Sequence, residues 1–509
     1  MTSLVLLLAA CLAGPALAVG LSAIGIPWQV TGAVVAGTAL VVLWRTFQQM
    51  RAVGFQRLQW PALLGLLLVL GAATFYTVRL SSFMLDVTKA DSSVFPARQF
   101  FRAHSCLSAY TEAARLSTTD VNIFDPVPYS QPGHPDTARN IGLLEVDLYQ
   151  SPPPFLALPR LTVAAGLEFL TTRRLWFAVQ SVVLLLGVVV TARWIGGVSG
   201  LLALLLAPVL WLAPTTRVTL QIGNFQLTAF ALSMLAMIAF ERRHAARGGL
   251  MLGFSTVSKV FPGILGVLLV TDRRWTSILW TIGWAAAFVI GTLLWIGSGP
   301  FSDFFNYQLP RIQSGTAFFW IDAPGMAPVN YGIHGLIIKL RVLGVPWTSA
   351  ASASLAASAY GVLLLAIAAI SAYRLSTMRA TEKNLERLRL RQAQVWLGLL
   401  NLASFRSPFV PDAYALVGTL WLLTLLAAEG HWRTTGRLAL AVAGAATFVV
   451  LDGDVLPVPL PSWIVMGSLV VQLGMIALNL VAAIAPGRGA RPQPMAAAPV
   501  VAPAVLQAT

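Results

Sequence analysis

Eight of the chain's 19 acidic residues fall between residues 81 and 158: Asp86, Asp91, Glu112, Asp120, Asp125, Asp136, Glu145 and Asp147. A carboxylate can take a proton from a hydroxyl, and these are gathered in one polar stretch of an otherwise apolar chain. Asp86 and Asp91 come first, within about three helical turns of the end of an apolar run, which puts them near a bilayer surface. A carboxylate there can act as general base toward an acceptor hydroxyl while a lipid-phosphate donor enters sideways. Helix capping competes with that reading, since Asp91-Ser92-Ser93 suits an N-cap. Farther on, Ala109-Tyr110-Thr111-Glu112-Ala113-Ala114-Arg115-Leu116 is patterned as an amphipathic helix, and Asn122-Ile123-Phe124-Asp125-Pro126 reads as a turn. The stretch from Asp147 through Tyr149 to Pro152-Pro153-Pro154-Phe155 then breaks any incoming helix and starts a new apolar segment. His104, His134 and His334 lack metal-ligand spacing, so no metal site is expected and the three read as surface side chains or, at most, contacts to a polar ligand. No nucleophile elbow, phosphate loop or dinucleotide fingerprint is present.

The elements that must carry these groups are membrane helices. The 509 residues are 57% hydrophobic and 10% charged, against about 25% charged in soluble domains, and the mean hydropathy is +0.76. Apolar runs of about 20 residues recur and short alternating strands do not, which predicts an all-α, polytopic transmembrane helical bundle of about 12 or 13 spans. The net charge of +15 comes from short basic clusters between the runs. These read as topology determinants and headgroup contacts, and nucleic acid is excluded as a partner. The two cysteines, Cys11 and Cys106, lie in the first apolar run and in the polar loop, and no disulfide is expected. Residues 1–18 resemble a signal peptide but lack a basic start, so an uncleaved first helix is expected.

Basic clusters set the topology. Arg374, Arg379, Lys383, Arg387, Arg389 and Arg391 belong on the cytoplasmic side, as do Arg45, Arg51 and Arg57, Arg242, Arg243 and Arg247, and Arg273 and Arg274. These demands agree only if residues 248–271 enter and leave on one side. The stretch is too short for two spans of about 20 residues each, so a short re-entrant hairpin is expected, with Lys259 near its apex. A buried lysine there is a functional candidate, and a snorkelling lysine is the plainer account. The N-terminus is then cytoplasmic. A large first extracytoplasmic loop spans 81–172, a second spans 298–347, and residues 486–509 form a disordered cytoplasmic tail.

Several local patterns resemble one family. They are the Tyr110-x-x-Ala113-Ala114 helix, the Asn122-Ile123-Phe124-Asp125 turn, the Tyr149-x-x-Pro152-Pro153-x-Phe155 entry, Gly223-Asn224-Phe225-Gln226, the glycine-rich stretch ending Lys259-Val260-Phe261-Pro262, Asn330-Tyr331-Gly332, and Ser407-Pro408 followed by Asp412-Ala413-Tyr414. In this order they resemble glycosyltransferase family 87, of the GT-C class, over residues 61 to about 430. Residues 1–60 would add two N-terminal helices to a GT-C-like core at 61–485. The resemblance implies an integral membrane hexosyltransferase in the cytoplasmic (inner, plasma) membrane. It would move a hexose, mannose first, from a polyprenyl-phosphate donor to an extracytoplasmic glycolipid or glycan of the cell envelope. No cofactor is implied, with a divalent cation left open. Many members carry an aspartate four residues before the helix tyrosine, where this chain has Cys106. The base must then be another acid, Asp86 or Asp91 first, with Asp125 and Asp147 behind them. Lys259 and Arg406 become the expected partners of the donor phosphate, with Asn224 and Gln226 at a helix start. Tyr110 and Asn330 are secondary candidates, Asn330 more as a turn residue. A lipid-linked-sugar transporter or flippase and a non-catalytic envelope-assembly protein are the alternatives.

Overall fold

The 27-residue helix Phe169–Ile195, about 40 Å from end to end, orients the molecule. Near its start, Arg174 donates to the Leu85 carbonyl at 2.6 Å. Near its finish, the Trp194 carbonyl accepts from Arg389 at 3.0 Å. The polar loop and the basic cluster therefore occupy opposite ends of the helical bundle. The computed structural model describes residues 2–52, 60–318, 321, 323–429 and 461–484, and is about 77% helical. The basic link at Arg57, the apolar run at 437–451 and the tail at 486–509 lie outside the described residues.

Among the described residues six helices are long and apolar enough to cross a membrane, or seven if the pair Gly197–Leu212 and Pro214–Ile222, bent by 64°, is one broken span. This count is one of length and apolar character, and the other apolar runs form shorter helices or lie outside the described residues. Gln226–Glu241, Phe261–Thr271 and Asp412–Ala427 are apolar but short, and Leu385–Ser404 opens with charged residues. Protein covers these inner helices: Phe230, Ala231, Met234, Trp396, Leu400 and Leu422 are essentially inaccessible. A helix walled in by other helices need not match the hydrocarbon thickness. The first helix, Thr2–Ser22, packs Leu8, Leu12, Ala16 and Val19 into the same core.

The 248–271 stretch is broken as its sequence demands. Helix Ala245–Lys259 ends at Lys259, Val260 leaves helical geometry, and a turn at Phe261–Ile264 leads into helix Leu265–Thr271. Its entrance and exit are tied together. Arg379 bridges Glu241, at the end of the preceding helix, at 2.8 Å, and also bridges Asp272, just after Thr271. Arg274 joins the same carboxylates at 2.8 and 3.5 Å. Both ends thus sit at the basic end of the bundle, and Lys259 lies at the interior break.

The polar loop is folded. Helix Cys106–Leu116 buries nine of its 11 residues. Strand His104–Ser105 pairs in parallel with Leu144–Val146, which pairs antiparallel with Asn140–Ile141. Glu112, buried on the helix, is bound by Arg115 at 2.5 Å and by Arg139 from the hairpin. The second loop packs on the first: Gln150 donates to the Ala317 carbonyl at 3.3 Å, and the Phe124 and Phe304 rings lie 5.7 Å apart.

Candidate active site

Strand register builds the centre of the site. Pairing sets His104 opposite Glu145 and Ser105 opposite Val146, so the residue after that strand, Asp147, arrives beside His104. Ser108 fixes the junction. Its hydroxyl lies 2.5 and 2.9 Å from the Ser105 and Glu145 carbonyls and accepts the Asp147 N–H at 3.0 Å. Asp147 Oδ1 accepts the Leu148 N–H at 2.8 Å, which turns Oδ2 toward His104 Nε2 at 3.6 Å. The imidazole stacks on Phe100, with ring centres 4.5 Å apart. Burial opposes a charge on His104, but the Asp147 carboxylate and the Cys106 sulfur outweigh it, and its pKa is pushed up to about 9.

Cys106 is the point where several elements converge. It is a free thiol, buried at the first residue of the loop helix. Its Sγ lies 3.6 Å from His104 Nε2 and 3.2 Å from Tyr414 Oη, and the Asn224 amide donates to it at 3.5 Å. The Asn224 amide cannot turn over, because its Oδ1 accepts the Gln226 N–H at 2.9 Å. Gly223, at φ +75°, makes that bend possible: a Cβ there would stand 3.0 Å from the Leu107 Cβ. Gln180 donates to the Asn224 carbonyl at 2.8 Å and Trp176 to the Gly223 carbonyl at 2.9 Å. Lys259, at the break of the re-entrant segment, stands within electrostatic range of both Cys106 and Asp147. Tyr110 lines the floor among Phe155, Trp176 and Tyr149. Burial and the neighbouring Cys106 keep its hydroxyl protonated, bonded to the Phe225 backbone.

The remaining expected site residues lie in other settings. Asp86 is spent on its own turn, its Oδ1 accepting the Thr88 N–H at 3.0 Å and the Thr88 hydroxyl at 2.6 Å. Those two bonds hold its carboxyl below the usual range. Asp91 sits in the short turn Ala90–Ser92, its carbonyl bound by Arg79. Asp125 closes a turn by accepting the Val127 N–H at 2.9 Å. Arg406 is exposed and lies over Gly361. Asn330 is fully buried and stitches two loops, donating to the Pro408 carbonyl at 2.9 Å and accepting from Gly332 and Val410 at 2.9 and 3.1 Å. Its role as a turn residue agrees with the plainer of its two readings. Gln226 is buried beside Asn224. His104 departs from the surface role expected of it, because the parallel strand pair brings Asp147 to it from 43 residues away in sequence. A hint was present in His104-x-Cys106, since alternate residues of an extended strand share a face.

His104, Cys106 and Asp147 place one donor atom each within 4.8 Å of one another, a possible ligand set for a metal ion. Chemically, the site offers a carboxylate beside a raised-pKa imidazole, a lysine from membrane depth and an aromatic floor. A search of curated proteins and a search of solved structures each found no match. A family model does match, over residues 149–402, a stretch that begins just past Asp147 and contains Asn224 and Lys259. The matched stretch holds the motifs at Tyr149, Gly223, Lys259 and Asn330, and the chain belongs to glycosyltransferase family 87, whose members act on a sugar donor and an acceptor.

Proposed function

We propose that this chain transfers a hexose, mannose first, from a polyprenyl-phosphate donor to an extracytoplasmic glycolipid or glycan acceptor. Asp147 is the general base and Lys259 the partner of the donor phosphate. The observation that carries this reading is that Asp147 lies within 4.8 Å of Cys106, the position where many family members hold aspartate, with Lys259 within electrostatic range of both. The chain keeps a carboxylate there by supplying it from the other side of the loop. The acceptor oxygen attacks the anomeric carbon and its proton passes to Asp147 Oδ2. The bond to phosphate breaks, and the polyprenyl phosphate leaves with its charge facing the Lys259 ammonium. The Leu148 N–H holds the carboxylate in place through Oδ1, with His104 facing Oδ2 at 3.6 Å. The aromatic floor of Tyr110, Phe155 and Trp176 suits the apolar face of a sugar ring.

The test is sugar transfer by purified protein from a synthetic polyprenyl-phospho-mannose to membrane glycolipid acceptors. Wild type should transfer, Asp147→Asn should lose roughly 10²- to 10⁴-fold in rate, and Asp86→Asn should keep its rate at matched expression. Transfer that survives Asp147→Asn and fails in Asp86→Asn returns the base to Asp86. Transfer from a nucleotide sugar alone overturns the donor class.

A further inference from the structure

One of two distances around His104 is too long for a good hydrogen bond: 3.6 Å suits a nitrogen and a sulfur but not a nitrogen and a carboxylate oxygen. His104 Nε2 faces the Asp147 carboxylate and the Cys106 sulfur at 3.6 Å each. An imidazole nitrogen carries one proton or one lone pair, so it makes one good hydrogen bond rather than two. A good N–H to carboxylate bond is also shorter, about 2.7–2.9 Å. A tetrahedral divalent ion with ordinary zinc bond lengths to sulfur, nitrogen and oxygen separates its ligand atoms by about 3.3–3.6 Å. The two measured separations match the edges of such a polyhedron, and all three donor atoms lie within 4.8 Å of one another.

The surroundings hold the sulfur in place. The Asn224 amide donates to the sulfur and is locked in that orientation, and the Tyr414 hydroxyl stands 3.2 Å away. Hydrogen-bond donors aimed at a sulfur stabilise its anion. The Asp147 Oδ1 bond to the Leu148 N–H and the Phe100 stack hold the other two ligands.

We infer that His104, Cys106 and Asp147 form a three-ligand site for a divalent ion of the zinc and cobalt class. The thiolate and imidazole select against magnesium and calcium, which prefer all-oxygen shells. Three protein ligands leave a coordination position open, as in reactive rather than closed structural sites. An ion there takes up the Asp147 lone pairs that proton transfer requires, so glycosyl transfer falls as the site loads. That consequence rests on the function proposed above, whereas the binding itself does not.

Cobalt(II) is the probe, because its spectrum reports ligands and geometry without any activity assay. The chain has only two cysteines, which makes the assignment clean. Metal-free purified protein titrated with cobalt should develop tetrahedral d–d bands and a thiolate-to-cobalt charge-transfer band. Cys11→Ser should keep both, Cys106→Ser should lose the charge-transfer band, and His104→Gln and Asp147→Asn should each weaken binding by roughly tenfold or more. Zinc should displace the cobalt and magnesium should not. The absence of any spectral change in wild type, or a thiolate band that survives Cys106→Ser, overturns the site. Bands that appear as expected while zinc leaves transfer unchanged uphold the site and overturn its inhibitory role.

Discussion

At the scale of single residues, the question is what a carboxylate is free to do. Asp86 and Asp91 stand closest in sequence to a membrane helix, and sequence position made them the first candidates. The structure spends Asp86 on a Thr88 turn and leaves Asp147 with one oxygen turned toward His104. Nothing local in the sequence ranks Asp147 above the other loop acids. Its place beside His104 comes from a strand pair that joins residues 104–105 to 144–146, and pairing at that separation has no periodic signature. Lys259 was legible because a charge inside an apolar run is costly and the run was too short to cross twice. If it faces a leaving phosphate, its charge matters more in the transition state than in the bound donor. Lys259→Met should therefore lower kcat/KM by roughly 10²- to 10³-fold, and Lys259→Arg should recover part of the loss. Full activity in Lys259→Met would remove it from the site and leave it as a packing residue.

At the scale of elements, the polar loop holds its shape through one buried ion pair as much as through its aromatic floor. Glu112 fastens the helix Cys106–Leu116 to the hairpin through Arg139, and that helix carries Cys106 and Tyr110. Burial alone would raise the Glu112 carboxyl, but hydrogen bonds from Arg115 and Arg139 prevail and its pKa is lowered in the folded loop. A lowered carboxylate stabilises the fold above its unfolded pKa and loses that contribution as pH falls through the folded one. Glu112→Gln should thus destabilise the loop at neutral pH by about 1–3 kcal/mol, with Arg115 largely exposed and the pair screened to that extent. The thermal midpoints of wild type and Glu112→Gln should converge between about pH 5 and about pH 3. A constant gap across that range would mean that Glu112 acts through packing alone. The helix itself was readable from its amphipathic pattern. Its ion-pair partner was not, since Arg139 lies at the start of the hairpin Asn140–Ile141 and Leu144–Val146, whose strands are only two and three residues long.

At the scale of the whole molecule, the division into two ends was the most legible feature. Hydropathy finds apolar runs without knowing whether lipid or protein surrounds them, so it does not tell a protein-covered inner helix such as Gln226–Glu241 from a lipid-facing one. Charge told more, because basic clusters had to share a side and only a re-entrant 248–271 allowed it. The Arg379 bridge to both Glu241 and Asp272 now makes that argument physical: one guanidinium cannot touch two carboxylates on opposite sides of a bilayer. Single cysteines introduced into a Cys11→Ser background test the consequence in intact cells with an impermeant maleimide, since buried Cys106 is shielded. Arg247→Cys and Thr271→Cys, at the two ends of the broken segment, should react from the same side as Lys383→Cys in the basic cluster. Leu143→Cys, 61% exposed at the tip of the polar loop, should react from the other. If Arg247→Cys and Thr271→Cys label from opposite faces, the segment crosses the membrane, Lys259 is no longer held at an interior turn, and its pairing with Asp147 fails with it.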